Sequence, residues 1–131
     1  MIYKPIIVVA GEPNSIFSEI FFKSLKKKYK SPIILIASLS IIKLQMKKLN
    51  IYKKIRLINF LDIDKTHLDN KKINLININF NQKKPFDQIS SKSNDYIRKS
   101  FDIAIQILNT KITNKFINGP ISKKFFLKKK F

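Results

Sequence analysis

Two short segments hold the residue types that could meet an anionic ligand. Gly11-Glu12-Pro13 and Asn118-Gly119-Pro120, the latter followed by Lys123, contain both glycines of the 131-residue chain. Glycine kept at only two places, each close to a proline, points to backbone that a side chain would obstruct. Either glycine alone is also what an ordinary turn uses, so the pairing of the two is the better sign of a site. Where strands open into helices, backbone N–H groups and the helix dipole gather around anions. These segments therefore make the candidate cleft: Gly11, Glu12, Pro13, Asn118, Gly119, Pro120 and Lys123. Lys123 is placed to meet a phosphate or carboxylate; the plainer alternative is a solvated lysine like the many others. Glu12 suits either orienting a ligand amine or capping the helix that follows, and capping is the simpler role.

Other chemistry is poorly provided for. Neither segment is a nucleotide fingerprint, since Gly11-Glu12-Pro13-Asn14-Ser15-Ile16-Phe17 lacks the second and third glycines of G-x-G-x-x-G, and no Walker lysine motif occurs. The chain has no cysteine, which removes disulfides, thiolate metal sites and a cysteine nucleophile together. Its one histidine, His67, stands between Asp64 and Asp69, an incomplete metal shell that reads as surface. No catalytic residue and no metal ligand can be nominated from these residues.

Charge is the loudest property: 27 Lys+Arg against 8 Asp+Glu, a formal net charge of +19. Arg56 and Arg98 are the sole arginines, so the excess is almost wholly lysine. Bidentate reading of bases or phosphates recruits arginine, and single-strand binding interleaves aromatics with the basic residues. Neither pattern is present, which argues against specific nucleic-acid binding. A lysine-rich module held non-specifically to nucleic acid or an anionic surface is the alternative reading. The 44% hydrophobic content is that of a folded chain, and the apolar run after Pro5 is too short for a signal sequence or a membrane span. A cytoplasmic protein follows as the default.

The elements that must position the two segments are legible as alternating apolar runs and amphipathic stretches. Pro5–Ala10 and Pro32–Ala37 read as buried parallel strands, and Arg56–Phe60 and Lys115–Ile117 as shorter ones. Ile73–Phe80, with its repeated Asn, reads as a strand near the sheet edge, because Asn sits badly in a core covered on both faces. Helices are expected from Ser15 to Leu25 with Ile16, Phe17, Ile20, Phe21 and Leu25 as the apolar face, and from Ser38 or Ser40 to about Leu49. Ser93 is expected to cap a helix reaching Leu108, in which Tyr96 and Phe101 are core, and Ile121–Lys130 to begin another. Pro85–Lys92 reads as a polar link. The order β-α-β-α-β-β-α-β-α specifies an α/β fold, layered, with a mostly parallel sheet flanked by helices, formed by residues 1–131 as one unit.

Val9-Ala10-Gly11-Glu12-Pro13 with Ile16 and Glu19 resembles the opening T-P-G-[DE]-P-x-G-I-G-P-E of the 4-hydroxythreonine-4-phosphate dehydrogenases. Asn94-Asp95-Tyr96 with Asp102-Ile103-Ala104, then Phe116-Ile117-Asn118-Gly119-Pro120-Ile121-Ser122-Lys123, resembles the later Y-x-x-x-x-x-A and V-T-[AG]-P-I-N-K segments of that family. Ser15 and Phe17 stand where the family has glycines, Asn118 where threonine is usual and Ser122 where asparagine is common. The resemblance implies an incomplete isocitrate/isopropylmalate dehydrogenase-like fold. It further implies an NAD-dependent oxidation of a phosphorylated hydroxy-amino acid in pyridoxal phosphate biosynthesis, a divalent metal held by histidines, and a homodimer with its site between two domains. The family's G-H-T-E motif and its three metal-binding histidines have no counterpart up to Phe131, so this stretch is expected to be inactive alone.

Overall fold

The alternation of inward-pointing residues along two apolar runs decides the architecture. In the computed structural model, which describes residues 3–126, strand β1 (Ile6–Val9) sends Ile7 and Val9 to one side of a sheet and Val8 to the other. Strand β2 (Ile33–Ala37) divides in the same way, with Ile34 and Ile36 opposite Leu35 and Ala37. Both faces are therefore apolar, as a parallel sheet with helices on each side requires.

The remaining elements, in chain order, are α1 (Phe17–Ser24), α2 (Leu39–Leu49), β3 (Ile55–Leu57), a 3₁₀ turn (Phe60–Lys65), β4 (Ile73–Asn77), a short 3₁₀ turn (Ser91–Ser93), α3 (Asn94–Asn109), β5 (Lys115–Asn118) and α4 (Lys123–Phe126). All pairings are parallel, and the strands stand in the order β3-β4-β2-β1-β5. Phe21 and Phe22 of α1 and Ile42 and Met46 of α2 cover the face bearing Val8 and Leu35. Ala104 and Ile107 of α3, with Ile63 and Leu68, cover the face bearing Ile7 and Ile34. The layered α/β class expected from the order of elements is the one observed.

Three expectations are corrected. Strand β4 is interior, between β3 and β2. Its asparagines are tolerated because each is used: buried Asn74 donates through Nδ2 to Ile33 O (3.0 Å) and Asp69 O (2.7 Å), and Asn77 Oδ1 accepts from Leu39 N at the start of α2 (2.8 Å). Those bonds offset much of the burial penalty that makes Asn unwelcome in a core, although Asn74 Oδ1, also buried, accepts none among the described residues. In α1, Ile16 and Ile20 face outward, 67% and 56% exposed, and the buried face is Phe21 and Phe22 with Phe17 and Leu25 beside them. The cap position of that helix falls one residue later than expected, at Ile16, while Ser15 Oγ accepts from Phe17 N (3.2 Å), the first N–H of α1, and donates to Glu12 O (2.9 Å).

Ser38 caps α2, accepting from Ile41 N (3.4 Å). Tyr96 is buried and Phe101 packs edge-on against Phe116, as core positions should. The last helix covers Lys123–Phe126, and the rest of the span expected for it, 127–130, lies outside the described residues. No helix among the described residues is long and apolar enough to cross a membrane.

Candidate functional site

Parallel pairing of β1 with β5, in the register Val9↔Asn118, carries the two glycine segments out of the sheet side by side at its carboxyl end. There they lock together. Gly119 N donates to Val9 O (2.7 Å), and Glu12 N donates to Pro120 O (2.8 Å). Gly11 has φ +76°, and a Cβ there would come within 2.5 Å of Pro120 O. A Cβ on Gly119 would overlap the carbonyl of Ala10 and press on the Phe17 ring. The close approach inferred from the scarcity of glycine is real, and its partner is the other segment: each glycine makes room for the other's backbone.

That finding sorts the candidate residues. Gly11, Glu12, Pro13 and Gly119 are buried and build the seam, while Asn118, Pro120 and Lys123 are exposed at its rim. Asn118 folds back, donating through Nδ2 to Gly119 O (2.9 Å). Lys123 is the first residue of α4, whose described span is Lys123–Phe126.

Glu12 is not a helix cap. Its carboxylate, in a residue only 3% exposed, accepts from Asn14 N through Oε2 (2.8 Å) and from Ser93 Oγ through Oε1 (2.9 Å). It thus ties the first segment to the start of α3, and Ser93, expected as a side-chain cap, spends its hydroxyl on Glu12. Among the described residues no cation pairs with this buried carboxylate, so hydrogen bonds from neutral donors hold the charge.

A second polar group joins the seam to the rest of the carboxyl end. Gln45, buried on the apolar side of α2, donates through Nε2 to Pro13 O (2.7 Å) and Pro85 O (2.9 Å). The amides of Asn14 and Gln82 bond each other reciprocally at 3.0 and 2.8 Å, and Asn14 Oδ1 also accepts from Asp87 N (2.9 Å). The stretch read as a polar link is therefore sewn to the Gly11 loop, and a cleft of about 550 Å³ lies along it. Sequence spacing missed these partners because they sit tens of residues apart; Gln45, a polar residue on an apolar stripe, was the one visible sign.

Tyr96 closes the network from α3, its hydroxyl accepting from Ser38 N (3.1 Å) and its ring against Phe80. Burial pushes its phenol well above the ordinary 10.0, with the nearby Glu12 carboxylate adding to the rise and the Ser38 N–H opposing it. An unfolded tyrosine ionises near pH 10 and the folded one does not, so stability is expected to fall as pH rises above about 10. Tyr96→Phe is expected to lower the neutral-pH unfolding free energy by about 1–2 kcal/mol, because Ser38 N–H loses its acceptor. It should also flatten the alkaline decline. Urea titrations at neutral pH and above pH 10 check both, and an unchanged alkaline slope would exclude Tyr96 as the cause.

The residues present do not by themselves fit the two groups the resemblance implies. No group of three or more His, Cys, Asp or Glu side chains able to hold a metal occurs among the described residues, and His67 is an exposed residue whose carbonyl accepts from Arg56. Nor is there a glycine cradle left for a dinucleotide, since Gly11 and Gly119 fill each other's space.

An all-parallel five-stranded sheet covered by helices on both faces, with its loops gathered at the carboxyl edge, defines a layered α/β fold. The particular likeness is to 4-hydroxythreonine-4-phosphate dehydrogenases. The structure of that enzyme from Burkholderia phymatum superposes with a TM-score of 0.80 at 17% identity, over 93% of this chain and 38% of the other. The one from Klebsiella pneumoniae gives 0.76 at 18% identity, over 92% of this chain and 38% of the other. The chain thus spans well under half the length of these neighbours, and the likeness is one of fold. No family model matches the sequence. No curated protein matches it either.

Proposed function

We propose that residues 1–131 form one α/β unit of a cytoplasmic, homodimeric dehydrogenase. The enzyme uses NAD and a divalent metal to oxidise a phosphorylated hydroxy-amino acid in pyridoxal phosphate biosynthesis. One observation carries this reading. Two of the segments that resemble the family independently of any structure, those around Gly11 and Gly119, interlock at the carboxyl edge of a fold shared with enzymes of that name. Of the candidate residues, Asn118, Pro120 and Lys123 are the ones exposed to a ligand, and Gly11, Glu12, Pro13 and Gly119 hold them in place. Among the described residues, no side chain is assigned to the metal or to the dinucleotide.

The test is an assay of NADH formation with the phosphorylated hydroxy-amino acid and added divalent metal. The chain alone is expected to give none. Fused ahead of the remaining part of the Klebsiella pneumoniae neighbour, it is expected to give turnover. A folded, soluble fusion without turnover, or turnover by the chain alone, overturns the reading.

A further inference from the structure

The cleft beside the seam is lined by Lys83, Lys84 and Lys92, with Asp87 the one acidic side chain among them. Its polar wall includes Asn14, Gln82 and Ser93. We propose that this cleft is a binding site for a small phosphorylated molecule, independent of the dehydrogenase reading and separate from the residues assigned to it above.

Three observations support the assignment. Its volume, about 550 Å³, lies in the range of small-ligand sites. The loop carrying Lys83 and Lys84 is fixed: Gln82 holds Asn14 on one side and donates to Lys84 O (2.8 Å) on the other, while Gln45 holds Pro85 O. Lysines on a fixed loop converge on a ligand at a smaller entropic loss than lysines on a free helix face. Ser93 ends the cleft where the 3₁₀ turn Ser91–Ser93, capped by the Ser90 side chain on Lys92 N, runs on into the 16-residue α3. The positive end of this long helix adds to the lysine field.

The charges opposing an anion are weak by comparison. Asp87 turns its Oδ1 to Gln88 N (2.8 Å), and Glu12 lies behind Asn14 and Ser93, which donate to both of its oxygens. Three ammonium groups against one lining carboxylate suit a phosphate dianion or a diphosphate. A bounded concavity favours a small ligand over a nucleic-acid backbone, which would use lysines along an open surface.

Calorimetric titration of the full chain with inorganic pyrophosphate at low ionic strength tests the site. Binding is expected, and substitution of Lys83, Lys84 and Lys92 together by Ala should weaken it at least about tenfold. The same substitution of Lys26, Lys27 and Lys28, an equal change in net charge, should alter it by less than about twofold. Circular dichroism and unfolding midpoints confirm that both variants fold. Equal losses in the two variants would show attraction to the diffuse field and overturn the site. So would no binding by the wild type, or displacement of pyrophosphate by a single-stranded oligonucleotide at a lower phosphate concentration.

Discussion

Gly119→Ala is expected to destabilise the protein by about 3 kcal/mol, enough to remove a large share of the stability of a domain this size. The added methyl has nowhere to go. It meets the Ala10 carbonyl, which is backbone of the chain emerging from β1, and the Phe17 ring, which packs against Phe21 in the core. Relief requires β5 to move away from β1, stretching the bond from Gly119 N to Val9 O and the one from Glu12 N to Pro120 O. The same methyl on an exposed loop glycine at negative φ would change stability by less than about 1 kcal/mol, often favourably. Urea unfolding separates the two cases. A loss below about 1 kcal/mol would mean that the seam is looser than described.

Glu12→Ala is expected to cost about 3 kcal/mol as well, for a different reason. The carboxylate accepts two hydrogen bonds in a buried position, and charge-assisted bonds of this kind rank among the stronger ones. Removing it strands the Asn14 N–H and lets the Ser93 hydroxyl turn to Ser90 O, a bond already within reach at 3.3 Å. Glu12→Gln keeps one carbonyl oxygen but turns an amide NH₂ toward the other donor, so a loss of about 1–2 kcal/mol is expected. The order Ala worse than Gln worse than wild type, measured by denaturant midpoints, is the signature. A Gln variant as stable as wild type would show that the charge contributes nothing.

The parts of the molecule legible in its sequence are those whose residues report on their own surroundings. Pro5–Ala10 and Pro32–Ala37 are β-branched runs with no polar residue, and no structure but a strand covered on both faces uses such a run well. The stripe of Tyr96, Ile97, Ser100, Phe101, Ala104, Ile105 and Leu108 places α3 to within a residue at each end, although Ile105 is 52% exposed and Ile107 is the buried residue of the last turns. The two glycine segments were also placed from sequence at strand ends on one sheet edge, though as the lining of a cleft and not as each other's partner.

What failed depended on partners far along the chain. Asn74 looked like an edge residue because its acceptors, Ile33 O and Asp69 O, are set by a neighbouring strand and a loop. Ser93 looked like a helix cap because nothing local announces Glu12 as its acceptor. The lysine cleft looked like a link, since the amides that fix it pair Asn14 with Gln82. Periodicity senses which side of an element is covered, and it is blind to which polar groups will find each other.

The glycine seam also bears on how such a chain can change over evolutionary time. Gly11 and Gly119 lie at opposite ends of the sequence, yet each is confined to glycine by the backbone of the other's segment. A crossover anywhere between them that imports one segment from a relative with a side chain or a shifted carbonyl brings a clash to the segment left behind. Substitutions on the two sides are therefore coupled in their effect on stability, and the pair passes through descent as one inherited unit although almost the whole chain lies between its halves.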